Sequence, residues 1–171
     1  MSRLLEKLRE CRRRDDRGMM ANLRCILVEN KKHRAWPALN RLGVRIDDEV
    51  KSFISGLYAT HSEETSTGDF GTTCKAIERA RNETNKDSKL TPTERRFQHL
   101  LAAKGWDELR DRVYGMVRMA KTQDVHINYE QLEIDLKRLS GDSTYWHDRT
   151  KTEWASAFWS PGSLPDDEEK I

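Results

Sequence analysis

Apolar residues fall at helical intervals almost from the start of the chain. Leu4, Leu5, Leu8 and Cys11 share one face of a helix predicted over residues 2–13, with the charges elsewhere around it. Asp15-Asp16-Arg17-Gly18 interrupts it, and a second helix follows with Leu23, Ile26 and Leu27 inward. Trp36 precedes Pro37, a context that favours extended backbone, so Arg34–Pro37 reads as a corner in which Trp36 closes the core before a short helix. Asp47 or Asp48 caps the next helix, where Val50, Phe53, Ile54, Leu57 and Tyr58 repeat at helical spacing. The polar run Ser62–Asp69 has little to bury and reads as a mobile loop. Phe70-Gly71-Thr72-Thr73 leads into a helix with Cys74, Ile77 and Ala80 inward and Lys75, Arg79 and Arg81 outward.

The second half is organised around Thr93–Leu101. Thr91 is an N-cap, Pro92 occupies the first turn, and Glu94 stands three residues after the cap. Phe97, Leu100 and Leu101 face a core, and Arg95 and Arg96 sit beside that ladder. Leu109, Val113, Met116, Val117 and Ala120 form the next stripe, flanked by Arg112, Arg118 and Lys121. Val125-His126-Ile127-Asn128 is an extended connector, and Asn128 caps a helix carrying Tyr129, Leu132, Leu136 and Leu139. The last helix is the most aromatic, with Tyr145, Trp146, Trp154, Phe158 and Trp159, and Ser160-Pro161-Gly162 stops it. No long segment alternates with period two. The expectation is an all-α fold of about eight or nine helices in two packed helical bundles, residues 1–84 and 85–160. The boundary is placed in the polar stretch Asn82–Leu90, and residues 161–171 form a disordered acidic tail.

Composition adds that surface is large relative to core. Hydrophobic residues make up 36% and charged residues 35%, against roughly 25% charged in an average chain. Small helical proteins and subunits of larger assemblies have this balance. Net charge is only +2, but residues 1–34 carry eleven basic against five acidic side chains, and Asp166-Asp167-Glu168-Glu169 concentrates negative charge at the other end. A near-neutral sum can therefore conceal a basic face. The three cysteines form no CxxC, and none of the five histidines lies near a cysteine pair, which excludes the usual metal and redox spacings. Their odd number and the lack of a signal peptide point to a reducing, cytoplasmic setting. No apolar run approaches the roughly 18 residues that span a bilayer.

Catalytic motifs are missing. There is no HExxH, no glycine-rich phosphate loop and no GxSxG, and His99 is a lone histidine on a helix. No enzyme activity, metal or cofactor is expected. The one constellation that repeats is basic: Arg24, Arg95, Arg96, Arg112, Arg118, Lys121, Lys137, Arg138, Arg149 and Lys151 each lie next to an apolar stripe. A row of arginines across several helices can track a nucleic-acid backbone, because the guanidinium fork donates two parallel bonds to phosphate. The same residues also suit solvated helix edges.

An ordered series of short motifs resembles the CasB family, the small subunit of the type I-E CRISPR surveillance complex Cascade. The series runs from Ala21-Asn22-Leu23-Arg24 through Ala35-Trp36-Pro37-Ala38-Leu39, Tyr58-Ala59-Thr60-His61 and Phe70-Gly71-Thr72-Thr73. It continues with Glu94-Arg95-Arg96-Phe97, Val125-His126-Ile127-Asn128-Tyr129, Asp135-Leu136 and Trp154-Ala155-Ser156-Ala157-Phe158-Trp159. The resemblance implies a non-catalytic subunit, two copies per complex, that touches the backbone and large subunits. It also implies a basic surface holding CRISPR RNA and target DNA and stabilising the displaced strand. On this basis Arg24, Arg95 and Arg96 match family arginines, with Cys25 where a second arginine often follows Arg24, and Arg96 is the foremost candidate. Arg95 or Arg96 can instead turn into an ion pair with Glu94 or Asp135, since neighbouring helical positions point about 100° apart. A helical protein adaptor without nucleic-acid contact is the alternative.

Overall fold

Small polar side chains set where most helices begin. The computed structural model describes residues 2–85, 87 and 89–160. Ser2 accepts the Leu5 amide to start α1 (Arg3–Arg13), Asp16 accepts Met19 for α2 (Arg17–Arg24), and Asp48 accepts Lys51 for α4 (Glu49–Thr60). Two 3₁₀ segments, Cys25–Leu27 and Glu29–Ala35, lead into the short α3 (Trp36–Arg41). Asp69 and Thr72 form a capping box on α5 (Phe70–Ala80), and Thr91 and Glu94 form another on α6 (Pro92–Leu101). α7 (Gly105–Thr122) carries Asp107 and Glu108 in its first turn, where the helix dipole favours them. Asn128 caps α8 (Tyr129–Ser140) and Ser143 caps α9 (Thr144–Phe158). Each such cap is worth about 1 kcal/mol. The fold is all-α: among the described residues β-pairing is confined to one bridge between Glu64 and Ile127.

α4 is the hub. Every residue from Ser52 to Ala59 is buried, and α1, α2, α7 and α8 pack on it. Gly56 permits the close approach of Ile26, since a Cβ there would stand 2.2 Å from the Ile26 Cγ2. Tyr129 shares its hydroxyl proton between the Leu57 and His61 carbonyls at the C-terminal end of that helix. α5 and α9 lie side by side around Gly71, and aromatic pairs Phe70–Trp154 (5.3 Å) and Phe97–Phe158 (4.5 Å) fill the space between them and α6. The predicted stripes Val50–Tyr58, Leu109–Ala120 and Tyr129–Leu139 are all inward.

Several expectations are corrected. Trp36 is helical (φ −58°, ψ −45°) and 38% exposed, because the preceding 3₁₀ turn runs straight into α3 and the small Ala35 takes the buried place instead. Ala80 is exposed, and Glu78 holds the inward position at that end of α5, bonded by Thr91 Oγ1 and Lys75 Nζ at 2.7 Å each. The polar segment after α4 is anchored. Thr65 and Ile127 exchange backbone bonds with Ile127 and Glu63, while Arg9 and Arg12 hold Glu64 and Glu63. Leu27 and Leu101 are only partly buried. The acidic tail at 161–171, with Lys86 and Ser88 of the polar stretch, lies outside the described residues.

Candidate nucleic-acid interface

A groove of about 800 Å³ lies along α6 and α7 beside the C-terminal end of α4. α6 contributes Arg96, the C-cap of α5 contributes Arg81, and α7 contributes Tyr114, Arg118, Met119 and Lys121. Thr60, Thr122 and Gln123 add neutral hydrogen-bonding groups, and no carboxylate lines the groove among the described residues. Gly115 leaves its floor open, since a Cβ there would meet nothing within 4 Å.

Local sequence explains the arrangement. Tyr114 and Arg118 are one helical turn apart, and the guanidinium lies 5.6 Å from the ring centre. Phe97 is wholly buried, which turns the preceding Arg96 toward α7, where its Nη1 meets the Met119 Sδ at 2.9 Å. Thioether sulfur is a weak acceptor, so most of the donor capacity of Arg96 stays free. Arg95 is exposed, does not line the groove and makes no ion pair among the described residues. Its potential acidic partners are engaged with other groups. Glu94 accepts the Thr91 amide at 3.0 Å and the Trp159 indole at 2.9 Å, and Asp135 accepts Trp154 and Gln131 at 2.9 Å each. Burial pushes the Glu94 carboxyl up, but the Thr91 amide, the Trp159 indole and the Lys75 charge outweigh it and hold the group below the usual range. Burial dominates at Asp135 and raises that carboxyl.

The remaining candidates separate. Arg24 donates to the Ala59 carbonyl at 3.1 Å, at the negative end of the α4 dipole, and lines a second hollow of about 320 Å³ with Arg12 and Arg17. That hollow also holds Asp15 and Asp16. It shares no lining residue with the groove. Arg112 is exposed on α7, three residues before Gly115 and outside the groove. Lys137 pairs with Glu133 at 3.4 Å, Arg138 stacks over Trp146 at 4.2 Å and faces Asp135, and Arg149 pairs with Glu153 at 3.0 Å and Tyr145 at 3.1 Å. These three belong to the α8–α9 corner, and none lines the groove. Lys151 is half-buried on α9. Arg81 joins the groove although sequence reading set it aside as an outward helix residue. Its place just past the end of α5 was the available signal. His99 is exposed, and no group of three metal-ligating side chains exists among the described residues. No helix of the described residues is long and apolar enough to cross a membrane.

Residues 19–159 match the family model described as CRISPR-associated protein Cse2. The crystal structure of M. ruber CasB is similar with a TM-score of 0.63 over 92% of this chain and 93% of that one, at 22% identity, a likeness of fold. No curated protein matches.

Proposed function

The chain belongs to the Cse2 (CasB) family of type I-E CRISPR Cascade small subunits, and from that premise we propose that it is a non-catalytic subunit whose α6–α7 groove holds nucleic acid. Its partners are the backbone and large subunits of the complex, CRISPR RNA, target DNA with its displaced strand, and a second copy of itself, in the cytoplasm. Guide–target pairing supplies sequence specificity in such a complex, and protein supplies backbone contacts. The observation that carries the reading is a groove lined by Arg81, Arg96, Arg118 and Lys121 and by no carboxylate among the described residues. Fixed arginines suit phosphate oxygens, and Tyr114 offers a ring edge beside them.

The test reverses charge at two of the groove cations. Arg96 and Arg118 are exposed, so Arg96→Glu with Arg118→Glu leaves the circular dichroism spectrum unchanged. Target DNA retention by the assembled complex should fall. If all four cations meet phosphates of a single strand, log affinity falls with log salt at a slope of about −3, and the double variant flattens it by about 1.4. Unchanged retention and slope would remove the groove from the reading.

A second reading, a protein adaptor, has its own observation. Val28, Trp36 and Ile46 are exposed apolar residues, and Trp36 and Ile46 border a small hollow closed by Phe53 and Trp106. Crosslinking within the complex separates the two. Groove residues that crosslink only to protein favour the adaptor.

A further inference from the structure

α9 ends beside α5 and α6, the helices that bring Arg81 and Arg96 to the groove. α9 runs parallel to α5. Gly71 lies against the Trp154 backbone, Lys75 sits 5.3 Å over the Phe158 ring, and Trp159 reaches Glu94, whose cap partner Thr91 bonds Glu78. The register advances along both helices together, so the end of α9 stands level with Glu78. Arg81, at one side of the groove, is three residues further along α5, or about 4.5 Å. Arg96, at another side, faces α7 from the far side of α6, about 200° around that helix from Glu94.

The segment that follows carries Asp166-Asp167-Glu168-Glu169. Asp166 is six residue steps beyond Ser160, and extended chain covers about 3.3 Å per step, a reach of about 20 Å. That reach exceeds the offset of about 4.5 Å along α5 that separates the end of α9 from Arg81, the nearest groove cation in that register. Carboxylates accept the same forked arginine bonds as phosphates. Among the described residues the groove offers four cations and no lining carboxylate, and Arg81 alone of the four has an ion-pair partner, Glu83 at 2.9 Å.

We propose that the run Asp166–Glu169 occupies the groove of its own chain and competes there with nucleic acid, as a weak built-in phosphate mimic. This rests on the reading of the groove as a nucleic-acid site. A tethered segment acts at an effective concentration of order millimolar, enough to weaken ligand binding several-fold without abolishing it. Nucleic acid, with many more phosphates, displaces the run, and weak non-cognate encounters are the ones suppressed.

The test keeps the full chain and neutralises the run, with Asp166→Asn, Asp167→Asn, Glu168→Gln and Glu169→Gln. Two readouts are compared with the wild type. Anisotropy of a fluorescent oligothymidine should show about threefold to tenfold tighter binding by the variant at low salt, and no difference at high salt. The ¹⁵N amide resonances of Gly115, Arg118 and Lys121 should shift between the two proteins without any nucleic acid present. Equal oligothymidine affinities with unshifted groove resonances overturn the proposal and leave the groove as a binding site. Shifted resonances in a protein that binds no oligothymidine keep the tail contact and refute the nucleic-acid reading. Resonances that shift only away from the groove overturn the proposal whatever the affinity.

Discussion

Gly71→Ala sets two effects of opposite sign against each other. Helix propensity favours the substitution by about 0.5–1 kcal/mol, because glycine loses more backbone freedom on folding. Packing opposes it. A Cβ at Gly71 would stand 2.0 Å from the Trp154 carbonyl oxygen, 2.7 Å from its carbonyl carbon and 2.9 Å from its Cα. These are backbone atoms of α9, so no rotamer change relieves the clash. Contact becomes ordinary only from 3.4 Å, so α5 and α9 must part by about 1.4 Å. Overpacking of this kind costs about 1–3 kcal/mol. Separation also strains the Phe70–Trp154 contact and the 2.9 Å bond from the Trp154 indole to Asp135, worth roughly 1 kcal/mol more. The net expectation is a loss of about 2–3 kcal/mol, a fall in Tm of roughly 4–12 °C for a chain of this size. Gly115→Ala is the control, being in mid-helix with nothing within 4 Å of its Cβ. It should gain about 0.5–1 kcal/mol. Thermal unfolding of both variants by circular dichroism decides the matter. A Gly71→Ala protein as stable as the wild type would refute the close approach of α5 and α9.

Opposite pH signatures are expected at two buried carboxylates. Burial raises the Asp135 carboxyl, so its contribution is full at acid pH and is lost as pH rises through its folded value. Asp135→Asn should therefore be better tolerated at pH 7 than near pH 4. The Glu94 carboxyl is lowered, so its stabilisation is present above the ordinary carboxylate range and lost as pH falls. Glu94→Gln should cost most near neutrality, with urea unfolding at both pH values as the measure for both variants. Arg9 ties α1 to Glu64 at 2.9 Å and Glu130 at 3.2 Å, so Arg9→Ala should speed hydrogen exchange at the Thr65 and Ile127 amides. Unchanged protection there would show that the bridge alone holds the segment.

The helical stripes and caps were legible because they depend on neighbours in sequence. Thr91, Pro92 and Glu94 announce α6, and the bonds of its capping box form as the spacing requires. What escaped depends on other elements. Nothing local told Glu78 that Thr91 would stand 2.7 Å away, so its inward turn was missed and Ala80 was placed there instead. The segment after α4 looked solvated because its partners, Arg9, Arg12 and Ile127, are remote in the chain. The doublet Arg95-Arg96 was recognised as pointing two ways, but the direction of each follows from the packing of Phe97 and the position of α7. Arg81 enters the groove by where α5 ends, a boundary that sequence patterns give poorly.

The balance of charge in the sequence understates what an anion meets at the surface. Acidic residues number 29 and basic residues 31, yet the two kinds are placed differently. Glu78, Glu94, Glu133 and Asp135 are at most 6% exposed, while no lysine or arginine among the described residues is buried. The reason is chemical. Carboxylates only accept, so they suit the orphan amides at helix starts and the buried hydroxyl and indole donors found here. Long basic side chains bury their stems and keep their heads in water. Screening then makes the field local, over roughly 8–10 Å. At the α8–α9 corner Lys137, Arg138 and Arg149 each have a carboxylate within 4 Å, which cancels them at close range. In the groove Arg96, Arg118 and Lys121 have none among the described residues. Local pairing, more than the number of arginines on a helix edge, is what leaves the α6–α7 groove with cations that no neighbouring carboxylate offsets among the described residues.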